Sequence, residues 1–177
     1  MQTLQERVRE LIIDVPNFPI EGIVFKDILP IFRHPELLKE LVSEMARELQ
    51  PYKPTVLAGM ESRGFLLGLP LALELNIPFV CIRKKGKLPG EVSGIAYSLE
   101  YGRAEIEIQK SALNVGDRVI LHDDVLATGG TANAAAQLIQ STRAELVSFS
   151  FLMELNFLKG REIIGLNNAP VHTFAQF

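Results

Sequence analysis

Asp123 and Asp124 stand side by side, and Thr128-Gly-Gly-Thr131 follows four residues later. Backbone N–H groups at the start of a helix are unpaired and carry positive partial charge, so a turn placed there binds a phosphate. Glycines let the backbone approach closely and adopt positive φ, and two threonine hydroxyls add donors. Adjacent carboxylates suit different chemistry, because they accept hydrogen bonds from vicinal hydroxyls and help to hold Mg2+. Ala127, Thr128, Gly129, Gly130 and Thr131 are therefore a candidate phosphate seat, with Asp123 and Asp124 a candidate grip on a sugar diol. Together they describe a site for a ribose 5-phosphate. Taken alone, the aspartates could equally start a turn and Thr131 cap a helix. The lysine of a Walker loop does not follow these glycines, and no G-x-G-x-x-G fingerprint occurs.

Two further groups of residues suit anions. In Gly59-Met-Glu-Ser-Arg-Gly64 an arginine falls in the first turn of an expected helix, facing the positive end of the dipole at a cost of ~0.5 kcal/mol. Arg63 thus reads as serving something anionic or aromatic outside the helix, or as an exposed arginine with no partner to serve. Arg83, Lys84, Lys85 and Lys87 form a basic stretch beside Gly86 and Gly90, either a solvated charge run or an anion site. Ile23-Val24-Phe25 sits in a proline-bounded stretch, a poor place for core residues unless something packs there. His34 and His172 carry little information; His122, beside the aspartates, could pack inward or polarise Asp123. The single cysteine, Cys81, stands among Phe79, Val80 and Ile82 as a buried strand residue, and excludes a disulfide framework or a cysteine metal site. No His, Cys or carboxylate spacing suggests a tight structural metal.

The elements that must position these groups follow from periodicity. Leu4, Val8, Leu11 and Ile12 mark a helix that Pro16 should stop, and residues 16–30 read as an extended connection. Leu38, Leu41, Val42, Met45 and Leu49 mark a second helix, closed by Pro51 and Pro54. Alternation then sets in: a strand at 55–59, a nearly all-apolar helix at 62–75 bent by Pro70, and a strand at 78–83. A charged, glycine-rich loop at 84–94 precedes a hairpin of strands 95–100 and 104–109. A strand at 117–124 delivers the aspartates to its end, the glycine turn opens a helix, and a strand at 145–154 follows. A short helix and a last strand near 171–174 close the chain. Two strand–helix–strand units plus a hairpin imply an α/β fold with a central, mostly parallel sheet flanked by helices.

At 177 residues with 47% apolar content the chain fits one domain, 1–177, with a packed core. A net charge of −3 excludes a global field for nucleic acid. The charged N-terminus, with Glu6, Arg7, Arg9 and Glu10, is no signal peptide, and the apolar stretch 65–75 is too short to span a membrane. A cytoplasmic protein with small-molecule partners is the expectation, with no nucleic acid and no membrane.

The run Asp123-Asp-Val-Leu-Ala-Thr-Gly-Gly-Thr131 resembles the 5-phosphoribosyl-1-pyrophosphate (PRPP) motif of the type I phosphoribosyltransferase family, in the form of its adenine-using members. Similar blocks are Gly22-Ile-Val-Phe-Lys-Asp27, Glu61-Ser-Arg-Gly-Phe65, Ile82-Arg-Lys-Lys-Gly-Lys-Leu-Pro-Gly90 and Tyr97-Ser-Leu-Glu-Tyr101. The resemblance implies purine salvage, in which phosphoribose passes from PRPP to adenine and gives AMP and pyrophosphate. It implies a type I fold with a small hood, from 1–33 and the C-terminal segment, and a flexible hairpin lid over 84–105. Glu61, Ser62 and Arg63 would form the pyrophosphate loop, often with a cis non-proline peptide, and Arg83 and Lys87 would bind pyrophosphate from the lid. Phe25 would stack on one face of adenine and Arg63 cover the other, while the Val24 backbone reads the amino edge. Glu100 matches the carboxylate that takes the N9 proton, and Tyr101 would position the lid or the leaving group. Mg2+ would arrive with PRPP, assisted by Asp123 and Asp124, and a homodimer is usual. Two departures stand out: Glu61 where aspartate is frequent, and His122 where an aliphatic is frequent. A transferase for another purine, and a nucleotide-binding regulator without turnover, are the rivals; a receiver-type module leaves the threonines and glycines beside the aspartates unexplained.

Overall fold

The computed structural model describes residues 2–99 and 102–177, which form two compact units, 1–45 and 46–177. In the first unit, helix α1 (Leu4–Leu11) opens on a capping box: Thr3 Oγ1 accepts from the Glu6 N–H at 3.2 Å, and the Glu6 carboxylate accepts from the Thr3 N–H at 2.7 Å. Pro16 does not end this helix. Ile12 is already extended, and strand β1 (Ile13–Pro16) pairs antiparallel with β2 (Val24–Asp27), Val15 opposite Phe25. The β-branched run Ile12-Ile13 favours the strand before proline can act. The expected connection 16–30 therefore contains a paired strand, with a cis Phe18–Pro19 bond in the turn and Phe18 edge-on to Phe25 at 5.1 Å. Helix α2 (Pro35–Leu49) follows a 3-10 turn at Leu29–Arg33.

The second unit is built on a seven-stranded sheet, ordered β5-β6-β4-β3-β7-β8-β9. Its strands are β3 (Val56–Met60), β4 (Phe79–Lys84), β5 (Val92–Leu99), β6 (Gly102–Gln109), β7 (Arg118–Leu126), β8 (Glu145–Glu154) and β9 (Val171–Gln176). Pairings among β4, β3, β7, β8 and β9 are parallel; β6 is antiparallel to both β4 and β5. Helix α3 (Gly64–Glu74) links β3 to β4, α4 (Gly130–Ser141) links β7 to β8, and α5 (Gly160–Ile164) lies before β9.

From the neighbouring pair β3/β7 the chain crosses in opposite directions, to β4 through α3 and to β8 through α4. Right-handed crossovers then place the two helices on opposite faces. The side chains agree. Ala135, Leu138 and Ile139 of α4 share a core with Val56, Ala58, Val119 and Leu121, whereas α3 approaches Leu57 and His122 on the other face at Gly68. The β3/β7 boundary is thus a topological switch point, where ligands of open α/β sheets bind beyond the carboxyl ends of the strands.

Candidate active site

Both anion-suited turns leave the sheet at this switch point, the first after Met60 and the second after Leu126. Strand β7 runs two residues past Asp124, so the carboxylate pair lies inside the strand rather than at its end. Strand alternation sends the two side chains different ways. Asp123, half-buried, lines a cavity of ≈ 160 Å³ together with Val125, Leu126, Ala127, Thr128, Gly129, Thr131 and Ala132. Asp124 is 2% exposed, and its Oδ2 lies 2.9 Å from Nε of Arg63. Asp123 Oδ1 also accepts from the Asp124 N–H at 2.9 Å.

These carboxylates are electrostatically uncomfortable. Burial pushes the Asp123 carboxyl well above the ordinary aspartate range, and the Asp124 charge adds to it. Asp124 is raised too, by burial, with Arg63 beside it pulling the other way. Two desolvated carboxyl groups in one strand attract hydroxyl donors and cations.

The candidate phosphate turn opens a helix, as expected. Gly129 is the N-cap of α4 with φ 80°, the left-handed region, and the first helical residues are Gly130 and Thr131. No side chain caps this helix, which leaves its first N–H groups without a side-chain acceptor, and Gly129, Thr131 and Ala132 at its start line the cavity. A Cβ on Gly129 would stand 2.6 Å from the Gly160 carbonyl oxygen. The two backbones meet with no room for a side chain. Thr131 Oγ1 accepts from the Tyr97 hydroxyl at 3.2 Å, which leaves the threonine proton free to donate elsewhere.

At the end of β3, the Glu61–Ser62 peptide is cis and Arg63 is the N-cap of α3, not a first-turn residue. A Cβ on Gly64 would stand 2.8 Å from Asp123 Oδ1, so the start of α3 lies against the acidic pair. Glu61 takes Arg83 on one oxygen (2.9 Å) and the Lys84 N–H on the other (2.9 Å), and the Arg83 hydrogen bond holds its carboxyl below the ordinary range. Arg83 also donates to the Lys87 carbonyl at 2.9 Å. The fold thus brings Glu61, Ser62, Arg83 and Lys87 to one corner, next to Arg63. Lys85 is turned away to Glu105, at 2.7 Å.

His122 resolves as an inward-facing residue. It is fully buried, Nδ1 lies 3.1 Å from Ser150 Oγ, and burial lowers its pKa to about 4. Val24 and Phe25 lie on β2 of the N-terminal unit. Glu100 and Tyr101 lie outside the described residues. Among the described residues, no three His, Cys, Asp or Glu side chains cluster as metal donors, and no helix is long and apolar enough to cross a membrane. Sequence reasoning assigned no role to Tyr97, Val125, Leu126, Ala132 or Gly160, which line the cavity or abut its turn. Nothing in local composition links Gly160 to a turn thirty residues earlier.

Residues 28–160 match the family model described as phosphoribosyl transferase domain. The chain is 49% identical over 162 residues to adenine phosphoribosyltransferase 1 of Saccharomyces cerevisiae, covering 89% of this chain and 85% of that protein. It is 47% identical over 161 residues to the adenine phosphoribosyltransferase of Cytophaga hutchinsonii, covering 91% and 89%. Among solved structures it is similar to the Giardia lamblia enzyme complexed with 9-deazaadenine, with TM-score 0.94, 37% identity and coverage of 100% and 99%. The Saccharomyces cerevisiae enzyme complexed with an imino-altritol bisphosphate and adenine gives TM-score 0.90 at 44% identity, covering 97% and 98%.

Proposed function

Because this chain belongs to the adenine phosphoribosyltransferase family, we propose that its β3/β7 switch point holds PRPP by both phosphate ends while a carboxylate takes the proton of the incoming base. The enzyme is a pentosyltransferase of purine salvage: it transfers the 5-phosphoribosyl group of PRPP to adenine, forming AMP and pyrophosphate.

One observation carries the residue assignment: the uncapped start of α4 and the Asp123 carboxylate open onto the same cavity. In this reading the 5-phosphate sits on the N–H groups and hydroxyls of residues 127–131, and Asp123 accepts a ribose hydroxyl. Asp124 fixes Arg63, whose guanidinium then faces pyrophosphate and base. Ser62 offers its N–H and hydroxyl to pyrophosphate, with Arg83 and Lys87 supplying positive charge. Val24 and Phe25 are assigned to adenine recognition and Tyr101 to positioning. The donor set fits Mg2+ delivered as part of the PRPP complex, which needs one or two carboxylates rather than a protein cage. Both units belong to one functional domain, with the hood at 1–33 and the C-terminal segment and the lid at 84–105. A substrate this highly charged does not leak across bilayers, which fits a cytoplasmic enzyme.

As adenine N9 bonds to ribose C1′, the bond from C1′ to pyrophosphate breaks, and the N9 proton passes to the Glu100 carboxylate. The carbon passes through an oxocarbenium-like state, stabilised by position and electrostatics rather than by a covalent intermediate. AMP formation from adenine, PRPP and Mg2+, with far slower turnover of hypoxanthine, guanine and xanthine, is the expected result of a chromatographic rate comparison. Glu100→Gln should lower kcat about 10²-fold with an unchanged KM for PRPP. Normal turnover in that variant would remove Glu100 from the mechanism.

A homodimer completes the reading. Helix α3 is apolar on both sides, and its outer face leaves Leu66, Leu69 and Leu73 exposed, a stripe that a second copy would cover. Light scattering should give twice the chain mass; a monomer at micromolar concentration would overturn it.

A further inference from the structure

We infer that the Arg161–Glu154 ion pair is a clamp that seats Gly160 against the phosphate turn and thereby sets the affinity for the phosphoribosyl substrate. The inference rests on residues 127–131 being the 5-phosphate seat. Glu154 ends β8 and stands in register with Leu126, the last residue of β7 before the turn. Its side chain is 5% exposed, so a carboxylate there needs a partner. Arg161 supplies it side-on, with Nε 3.0 and 3.2 Å from the two oxygens and Nη2 2.5 Å from Oε2. The rest of the guanidinium is used as well: Nη1 donates to the Val171 carbonyl at 3.1 Å and Nη2 to Thr173 Oγ1 at 3.2 Å. This planar fork fixes direction as well as distance.

The residue so fixed directly follows Gly160. Gly160 is buried, and a Cβ on it would strike the Ala127 carbonyl oxygen and stand 3.0 Å from the Gly129 nitrogen. From the other side, a Cβ on Gly129 would meet the Gly160 oxygen and Cα at 2.6 and 3.2 Å. Backbone therefore lies directly on backbone, and any drift of Gly160 is felt by the N–H groups of the turn. Helix α5 has five residues and cannot hold its own start in place. The arginine fork holds it from the sheet, and the Leu155 N–H to Leu126 carbonyl bond, at 2.9 Å, anchors the strand ends. Phosphate affinity depends on donors held within about half an ångström of the productive geometry. Arg161 touches no substrate and acts through Gly160; it is a positioning residue.

Arg161→Ala should raise the KM for PRPP and the Kd of AMP about tenfold, leaving kcat and the KM for adenine within about twofold. A loss of fold stability alone would lower the active fraction without this split. Arg161→Lys, a point donor without the fork, should fall between; it decides the matter alone if the alanine variant does not fold, and a wild-type KM for PRPP in it would overturn the clamp. Thr131→Ala serves as the reference for the turn itself, with an expected rise of about tenfold in the same two constants. If Thr131→Ala weakens PRPP and folded Arg161→Ala does not, the clamp is wrong and the phosphate seat stands. If neither changes PRPP or AMP affinity, the seat is wrong and the clamp falls with it.

Discussion

Gly129→Ala should lower kcat/KM for PRPP by about 10²- to 10³-fold, because a 1 Å error in a positioning element already costs the smaller figure. Two independent constraints meet at this residue. Its φ of 80° is left-handed, which costs an L-residue about 1–2 kcal/mol. Its Cβ would also lie 2.6 Å from the Gly160 carbonyl oxygen, and the obstacle is backbone, which cannot swing aside as a long side chain can. Relief requires either the turn or the 160 loop to move by more than half an ångström, and the N–H donors move with it. Gly130→Ala is the informative contrast. Beyond its own chain neighbours and the backbone of its helix, nothing lies within 4 Å of a Cβ there and φ is not positive, so that variant should keep at least wild-type thermal stability, and any loss of PRPP use would come from a clash with ligand. Steady-state kinetics paired with melting curves on both variants separate the two effects. Wild-type PRPP kinetics in Gly129→Ala would mean that the turn does not carry the phosphate.

Much of this arrangement was legible in the sequence because its signals are local. Val119-Ile120-Leu121 is a buried strand by composition, the glycine turn Thr128-Gly-Gly-Thr131 marks the strand-to-helix junction, and the strand expected at 145–154 has those ends in the structure. What stayed hidden depends on residues distant in sequence. The pairing of Arg63 with Asp124 spans the α3 crossover and the β5–β6 hairpin. The contact of Gly160 with Gly129 joins two turns whose residue types announce nothing about each other. The β1–β2 hairpin was masked because three prolines in residues 16–30 suggest an irregular connection, although Pro16 sits at the end of its strand, where a missing donor is tolerated. The extent of β7 past Asp124 was equally hidden: acidic residues are depleted in strands, and only the neighbouring β8, which pairs with it as far as Leu126, makes the extension worthwhile.

Asp123→Asn should make the unliganded enzyme more stable and nearly inactive. In the folded chain burial is the main cause of the raised Asp123 carboxyl, and the Asp124 charge comes second. A carboxyl raised by folding binds its proton more tightly in the native state than in the unfolded chain. Its stabilising contribution is therefore complete below the ordinary aspartate value and is lost as pH rises through the higher folded value. In metal-free buffer without ligand, this group adds wild-type stability as pH is lowered from neutral toward the ordinary carboxylate range, a slope read as the difference between wild type and variant because buried His122, with its pKa lowered to about 4, titrates in the opposing sense in both proteins. Asparagine removes the charge and keeps the acceptor that takes the Asp124 N–H at 2.9 Å, so the variant should gain about 1 kcal/mol at neutral pH and lose that slope. The same change replaces a charged acceptor for a ribose hydroxyl by a neutral one, worth about 1.5–3 kcal/mol, which lowers kcat/KM for PRPP by roughly 10²-fold. Saturating AMP should reverse the order of stability, because only the wild-type carboxylate recovers its desolvation in hydrogen bonds to the sugar. An Asp123→Asn protein that melts below wild type at neutral pH without ligand, or that uses PRPP normally, would show that this carboxylate is a structural partner and not a substrate-facing group held at a cost to stability.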